Sequence, residues 1–288
     1  MIRNLIKIVR CKIIKIIFIF LTLNYSPCFA KENLSLNHDN LIINLEGDFI
    51  QGGLVKGQTN KNITIKFKDK ILRKTSNGEF VIGFGRDHPA NAYLTLEINN
   101  KLITKSFKIK KRIYKTQKIN GLRKKMVTPP KSFYERIIRE NKSIKEVRSL
   151  NSNVDFVFQK FSWPTKGIIS GVFGSQRILN GKPKRPHYGI DIAAKKGTTI
   201  VAPTESIVRM AEKDLYYTGG TIMLDHGHGL TSVYSHLSSI NVKVGDKVLK
   251  NQKIGEVGST GRSTGPHLDW RVNWFDQRLD PLLLLENK

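Results

Sequence analysis

The sequence predicts a mainly β protein with a small N-terminal β-sandwich, a linker helix and a C-terminal antiparallel β domain. Short runs alternate apolar and polar residues between positions 41 and 110, and glycines and turn residues divide residues 161–288 into short apolar stretches. Helical periodicity occurs between these regions, after a pair of prolines. Because successive strand side chains point to opposite faces, alternation at a period of two is typical of half-buried strands.

The chain has 288 residues, with 49 Lys and Arg against 23 Asp and Glu, and a formal net charge of +26. Hydrophobic residues make up 39% of the sequence, so a buried core is expected rather than disorder. The positive charge favours an anionic partner such as nucleic acid, lipid head groups or an acidic cell-wall polymer, without choosing among them. No apolar run reaches the roughly 18–20 residues that a membrane-spanning helix needs, which excludes an integral membrane bundle.

Residues 1–30 have the layout of a secretory signal. A basic start without acids leads into an apolar run over residues 16–23, and the small residue Ala30 closes the segment. We expect export with cleavage near Ala30, and an uncleaved anchor is the alternative. A lipoprotein is less well supported because Pro27 precedes Cys28. Cys11 and Cys28 are the only cysteines, so the mature chain would have no disulfide and no cysteine ligand.

Residues 41–110 are predicted to form the β-sandwich. Strands are expected at 63–67, 80–84, 93–98 and 102–109, with a turn at 76–78. This region gathers no catalytic residue types, which favours a spacer or docking module.

Residues 111–160 are predicted to form a basic linker with an amphipathic helix. Pro129 and Pro130 break the chain, after which Ser132 can cap a helix. Its apolar positions include Phe133, Ile137, Ile144 and Val147. A helix with this pattern is expected to pack along a neighbour with its charges in solvent.

Residues 161–288 are predicted to form the C-terminal β domain. The apolar stretches 201–208 and 221–224 are expected to be strands joined by tight turns. There is no phosphate-binding Walker loop and no dinucleotide fingerprint.

Histidines are the most informative residues of this domain. Five of the seven histidines lie between positions 187 and 267. Residues at even separations on a strand share a face, so His187 and Asp191 can point into one pocket, as can His267 and Asp269. Imidazole nitrogen and carboxylate oxygen are zinc ligands, and three protein ligands with one open position are typical of catalytic zinc. His236 and a further histidine would then be available to move protons.

The motifs around these residues resemble those of the lysostaphin-like, or LytM-type, zinc metallopeptidases that cut peptidoglycan peptides. The motifs are His187-x-x-x-Asp191, Tyr-Ser-His236-Leu and Gly-Pro-His267-Leu-Asp269. The resemblance runs from about residue 163 to residue 285. Residues 51–87 also look like the β domain that precedes the peptidase in some exported members.

The resemblance implies a role for each of these residues. His187 and Asp191 match two zinc ligands of the family, and His236 and His267 match its two catalytic histidines. Asp269 stands where the family has its third ligand, a histidine, and Arg271 stands where the family often has an acid. Two carboxylate ligands would neutralise the dication and weaken it as a Lewis acid. The alternative is a decayed site that binds or regulates.

The expected function is therefore an exported metalloendopeptidase with one Zn²⁺ per chain, which hydrolyses stem or cross-link peptides of peptidoglycan in the periplasm or cell envelope. The first alternative is a degenerate LytM-like regulator that binds and activates a cell-wall amidase, and the second is an adhesion module. Nucleic acid is not expected as a partner, because the export signal makes the encounter improbable and no aromatic stacking motif occurs.

Three further expectations concern residues outside the motifs. His226 and His228 lie in an Asp-His-Gly-His-Gly segment and are expected at the surface or in a turn. Trp270 and Trp274 are expected to pack in the core and at the rim of the site. The glycines at 219–220 and 258–265 are expected in loops that wall a groove.

Overall fold

A computed structural model describes residues 31–38, 41–60, 63–98 and 100–285. The predicted signal, residues 1–30, lies outside the described residues. In the part of the chain that is described, no helix is long and apolar enough to cross a membrane. Strands dominate the secondary structure, and the predicted mainly β fold is confirmed.

The N-terminal half consists of two four-stranded antiparallel sheets. In chain order its strands are β1 (Glu32–His38), β2 (Leu41–Gly47), β3 (Leu54–Thr59), β4 (Thr64–Phe67), β5 (Lys70–Ile71), β6 (Glu79–Gly83), β7 (Asn91–Ile98) and β8 (Lys101–Lys108). The first sheet has the order β1-β2-β3-β6 and the second the order β5-β4-β7-β8. Apolar side chains of both sheets, such as Ile43 and Leu94, belong to one buried cluster. The alternating pattern of the sequence therefore forms the inner faces of this pair of sheets.

The linker contains more structure than the sequence suggested. Its elements are β9 (Thr116–Ile119), α1 (Lys124–Val127), a 3-10 turn (Lys131–Phe133), α2 (Tyr134–Arg148) and a second 3-10 turn (Phe156–Phe158). The predicted helix is present, but the predicted cap at Ser132 is wrong. The cap position of α2 is Phe133, which makes no side-chain capping bond, because the 3-10 turn leads directly into the helix.

Helix α2 packs through its last turns onto the C-terminal domain. Ile144 and Val147 lie against the small buried cluster formed by Met210, Leu215, Met223 and Val233. The helix itself has no buried residue. Packing of one apolar edge with solvent on the other sides agrees with the predicted amphipathic pattern.

The C-terminal half is built on one large antiparallel sheet with two small sheets beside it. Its strands are β10 (Ile168–Gly171), β11 (Gln176–Leu179), β12 (Lys182–Pro183), β13 (Ile190–Ala193), β14 (Thr199–Val201), β15 (Ser206–Leu215), β16 (Gly219–Gly227), β17 (Leu230–Leu237), β18 (Ser239–Ile240), β19 (Lys247–Val248), β20 (Lys253–Glu256), β21 (His267–Trp274) and β22 (Gln277–Leu279), followed by a 3-10 turn (Pro281–Leu284). The large sheet has the order β10-β13-β21-β17-β16-β15-β19, with β22 beside β21. The small sheets are β12-β11-β9 and β14-β20-β18.

One strand prediction in this half is wrong. Residues 201–208 do not form a single strand, because β14 ends at Val201 and β15 begins at Ser206. Pro203 lies in the break and cannot donate a ladder hydrogen bond. The apolar stretch at 221–224 lies inside β16 as expected.

The N-terminal sheets pack directly on the C-terminal domain. The rings of Phe67 and Trp274 are 5.8 Å apart between centroids, and Gly83 lies against Trp274 so closely that an added Cβ would be 2.6 Å from Trp274 Cβ. The linker residue Arg112 donates to Oδ2 of Asp280 at 2.8 Å. The strand β21, which carries part of the candidate site, is thus fixed at its far end by the other domain.

Candidate active site

His187 and Asp191 meet where the chain enters β13. The Nε2 atom of His187 lies 3.2 Å from Oδ1 of Asp191, and both side chains are buried. The structure brings the two residues together, but not on one strand as the spacing argument assumed. The strand β13 begins at Ile190, so His187 precedes it and reaches Asp191 across the turn at Tyr188 and Gly189.

Asp269 joins this pair from the neighbouring strand. β13 and β21 are antiparallel, with Asp191 directly opposite Asp269. One possible ligand atom from each of His187, Asp191 and Asp269 lies within 4.8 Å of the others. His267, two residues before Asp269 on β21, has its Nε2 atom 3.9 Å from Oδ1 of Asp191. The adjacent strands β13 and β21 therefore bring two carboxylates and His267 together, and the segment just before β13 adds His187.

His236 and His267 face each other beside this cluster, with ring centroids 4.7 Å apart. The Nδ1 atom of His236 lies 2.8 Å from the carbonyl oxygen of Thr260, and Nδ1 of His267 lies 2.8 Å from that of Gly265. A carbonyl oxygen only accepts, so we assign the proton of each ring to Nδ1. In the neutral rings Nε2 then carries the free lone pair.

One loop, residues 257–266 between β20 and β21, supplies both of these carbonyl groups. The hydroxyl oxygen of Ser263, on the same loop, lies 3.2 Å from Nδ1 of His267. Burial, helped by the charge of His267, lowers the pKa of His236 to about 4. His236 is therefore neutral near pH 7 and able to accept a proton.

Two arginines contact the two carboxylates. Nη2 of Arg177 donates to Oδ2 of Asp191. Nε of Arg271 donates to Oδ1 of Asp269 at 2.8 Å, while its Nη2 donates to Oδ2. Burial alone would raise the pKa of Asp269, but the guanidinium of Arg271 holds it well below its usual value. Both carboxylates therefore carry their charge with a cation alongside.

The arginines change the electrostatic expectation for this site. The charge of Asp191 and Asp269 was expected to neutralise a bound dication, but Arg177 and Arg271 offset that charge within the protein. Neither arginine was predicted from the sequence to take part in the site. The signal for Arg271 was present: residues 269 and 271 lie two apart on one strand and so share a face.

The residues of the cluster fit a divalent metal ion. Nε2 of His187 and Oδ1 of Asp191 are buried, and apart from their approach to each other at 3.2 Å they have no hydrogen-bond partner among the described residues. Buried polar atoms without a partner are costly, and the cost is removed when they bind a ligand. Both oxygens of Asp269 accept from Arg271, and each retains a second lone pair. Imidazole and carboxylate donors in this number suit zinc.

Neither His226 nor His228 is at the surface. His228 lies in the expected turn, between β16 and β17, whereas His226 lies on β16, so the expectation is wrong for His226 alone. Nε2 of His226 lies 2.7 Å from Oγ of Ser232, and Nε2 of His228 lies 2.8 Å from Oδ1 of Asp155. Both histidines are buried. His226 lies on β16, in the middle of the large sheet, and His228 lies in the turn after β16 with its ring against that of Phe158. They stabilise the fold and lie outside the cluster described above.

Trp270 and Trp274 are both fully buried. The expectation of core packing holds for both, and neither lies at a rim. Of the two glycine segments, residues 219–220 pack against the loop of residues 257–266. A Cβ on Gly219 would lie 2.2 Å from Oγ1 of Thr260. Close backbone approach, with a φ of +61° at Gly219, explains the glycine there.

The comparison with known proteins agrees with this geometry. Residues 185–281 match peptidase family M23. They form an M23 domain. An uncharacterized metalloprotease of Buchnera aphidicola subsp. Baizongia pistaciae is 30% identical over 263 residues, which cover 88% of this chain and 63% of that protein. The peptidoglycan DD-endopeptidase ShyA of Vibrio cholerae is 38% identical over 117 residues, 40% of this chain and 27% of that protein.

The fold also matches a solved structure of an M23-type protein from Pseudomonas aeruginosa. That match has a TM-score of 0.65 and 25% identity, and covers 82% of this chain and 94% of the other. The likeness therefore extends beyond the M23 domain into the N-terminal half. The present chain spans less than two thirds of the length of the curated relatives named above.

Proposed function

We propose that this protein is an exported zinc metalloendopeptidase that hydrolyses peptide bonds in the stems or cross-links of peptidoglycan. The observation that carries the proposal is the pair of buried atoms Nε2 of His187 and Oδ1 of Asp191, which lie 3.2 Å apart and have no other hydrogen-bond partner among the described residues. They lie beside Asp269 and face two histidines whose free nitrogens are Nε2. A peptidoglycan substrate is supported by the similarity of the M23 domain to a peptidoglycan DD-endopeptidase.

His187, Asp191 and Asp269 would hold the metal ion. When bound there, zinc supplies a Lewis acid for a water molecule and for the scissile carbonyl group. Three protein ligands would leave a further position open for such a molecule.

His236 and His267 would handle the protons. Nε2 of His236 accepts the proton of the attacking water, because the ring is neutral and its Nδ1 proton is held by Thr260. The protonated ring can then donate to the leaving amine. His267, with its Nδ1 held by Gly265, is placed to share this transfer or to bind the developing oxyanion.

Export to the periplasm or cell envelope is part of the proposal. It is supported by the basic and apolar layout of residues 1–30. Without residues 1–30 the chain has 44 Lys and Arg against 23 Asp and Glu, and this net charge of +21 would favour residence on an anionic wall, an attraction that salt should weaken.

The test is incubation of the purified protein with muropeptides, with and without a chelator, alongside measurement of bound metal. We expect one zinc per chain and cleavage that the chelator abolishes and added zinc restores. Asp269→Ala should lose both, whereas Asp276→Ala, at an exposed position just after β21, should lose neither. Absence of metal-dependent cleavage from the wild-type protein would overturn the proposal.

The alternative is a regulator that binds and activates a cell-wall amidase. It is favoured by the engagement of both Asp269 oxygens by Arg271. A regulator would carry no stoichiometric zinc, and it would still stimulate a purified amidase after His236 is replaced. The metal measurement and the amidase assay together separate the two functions.

A further inference from the structure

Each of the two carboxylates in the candidate metal site is in contact with the guanidinium of an arginine. Arg177 contacts Oδ2 of Asp191 and leaves Oδ1 directed toward His187. Arg271 contacts both oxygens of Asp269 in a two-point arrangement. The formal charges of these four side chains sum to zero, so a bound dication would keep its full charge.

The chain makes specific room for Arg271. Its aliphatic part passes over Gly189, where an added Cβ would lie 2.5 Å from Cγ of Arg271. Across the sheet it lies opposite Val233. Beyond this aliphatic part, the guanidinium contacts both oxygens of the Asp269 carboxylate through Nε and Nη2, and this two-point contact fixes the orientation of that carboxylate.

We propose that Arg271 is a positioning residue that acts through Asp269. It holds the carboxylate in one orientation toward the metal, and it offsets the charge of this ligand so that the metal remains a strong Lewis acid. The inference rests on the proposed zinc site. In this proposal the charges of Asp269 and Arg271 cancel, so the pair acts toward the metal as a neutral third ligand would.

The proposal predicts opposite effects on metal affinity and on catalysis. Without Arg271, the cluster of His187, Asp191 and Asp269 has an uncompensated negative charge and attracts a dication more strongly. Loss of Arg271 also leaves the negative charge of Asp269 to offset part of the charge of the metal, and it allows the Asp269 carboxylate to rotate. Arg271→Met should therefore bind zinc about tenfold more tightly and cleave more slowly.

The experiment measures zinc affinity by competition with a chromophoric chelator, and the visible absorption spectrum of the cobalt-substituted protein. In Arg271→Met we expect tighter zinc binding and a weaker cobalt spectrum, because a freed carboxylate can bind through both oxygens and raise the coordination number. Arg271→Lys keeps the charge but loses the two-point contact. It should retain wild-type affinity and still show the altered spectrum.

The matched control is Arg209→Met, which breaks another arginine–carboxylate pair on the same sheet. Nε of Arg209 donates to Oδ2 of buried Asp225 at 3.0 Å, away from the metal cluster. This variant should lose stability without a change in zinc affinity or in the cobalt spectrum.

The outcomes separate the two proposals. A wild-type protein that binds no zinc overturns the proposed function. A wild-type protein that binds zinc, with Arg271→Met equal to it or weaker in affinity, overturns the role of Arg271 alone. If Arg271→Met does not fold, Arg271→Gln and Arg271→Lys provide the same comparison of a neutral with a charged side chain.

Discussion

The carbonyl oxygen of Thr260 holds the ring of His236, at 2.8 Å from Nδ1. The backbone of His236 is itself in the left-handed region, with a φ of +68°, and its N–H donates to the carbonyl oxygen of Thr218 at 2.7 Å. A bulky residue in this conformation is strained by about 1–3 kcal/mol and persists where the surroundings impose it. The fold thus fixes both the backbone and the ring of the residue that we assign as proton acceptor.

The variant His236→Asn tests this assignment with little disturbance of the backbone. Asparagine tolerates the left-handed conformation better than most residues, so the fold should be kept while the imidazole is lost. We expect the rate of muropeptide cleavage to fall by about 100-fold or more, with zinc content unchanged. His226→Gln, at a buried histidine outside the site, is the control and should retain the rate. An unchanged rate in His236→Asn would contradict the assignment.

Gly171 provides a steric test of the Asp191 ligand. An added Cβ at this position would lie 2.4 Å from Oδ2 of Asp191 and 3.0 Å from its Cγ. Gly171→Ala should therefore displace the Asp191 carboxylate from its position and weaken zinc binding by about tenfold or more, measured by chelator competition.

The control for Gly171 is Gly167→Ala, near the same pair of strands. Its added Cβ would meet the carbonyl oxygen of Ala193 at 2.4 Å, with no contact to the Asp191 carboxylate. Both variants disturb the β10–β13 region, and Gly171→Ala should change metal affinity far more. Equal affinity in the two variants would show that Asp191 is not a ligand.

Local patterns predicted the local elements well. The alternation at 93–98 and 102–109 correctly predicted β7 and β8. Every second side chain of β7 is buried from Ala92 to Leu96, and β8 alternates exposed with less exposed positions from Leu102 to Lys108. The parallel pairing of β9 with β11 had no such signal. It depends on where a linker segment lies relative to a distant hairpin, and sequence periodicity contains no information about that placement.

The candidate site was predicted by residue type more than by geometry. Side chains of His187 and Asp191 approach each other across a turn rather than along one strand, so the two residues are close for a different reason from the one that their spacing gave. The contact between Arg271 and Asp269 was not predicted, because each charged residue was considered singly. A carboxylate and a guanidinium two apart on a buried strand form a pair, and the pair has different electrostatics from either residue.

Burial of His226 makes stability depend on pH. Burial lowers the pKa of this histidine to about 4, although the charge of Asp225, paired with Arg209, partly opposes the shift. An unfolded chain has a histidine pKa near 6.5. Above that value His226 is unprotonated in both the folded and the unfolded state, and the free energy of unfolding loses nothing through this residue. Between about pH 6.5 and 4 the unfolded state binds the proton, and the free energy of unfolding falls by up to about 3 kcal/mol.

The measurement compares denaturant unfolding of the wild type and His226→Gln from pH 7.5 to 4. Glutamine can still bond to Ser232 but does not titrate, so its curve should fall less steeply over this interval. His88 and His236, whose pKa values burial also lowers, remain in both proteins and cancel in the difference. Parallel curves would show that His226 is not the titrating group.

Contact between Gly83 and Trp274 couples the N-terminal sheets to the strand that carries Asp269. A Cβ on Gly83 would lie 2.6 Å from Cβ of Trp274 and 3.1 Å from Cδ2 of Leu279. Both neighbours are fully buried, so neither can move aside easily. Gly83→Ala should therefore lower the free energy of unfolding by about 1–3 kcal/mol.

Gly85→Ala is the matched control for this interface. Its added Cβ would come closest to Oε1 of Gln277, at 2.7 Å, which is the end of a flexible and partly exposed side chain, and its next neighbours lie at 3.5 and 3.9 Å. We expect a change of less than about 0.5 kcal/mol in this variant by thermal denaturation. Equal melting temperatures for the two variants would mean that the two halves do not pack through Trp274. A selective loss in Gly83→Ala would show that the N-terminal sheets support β21, and with it the position of Asp269.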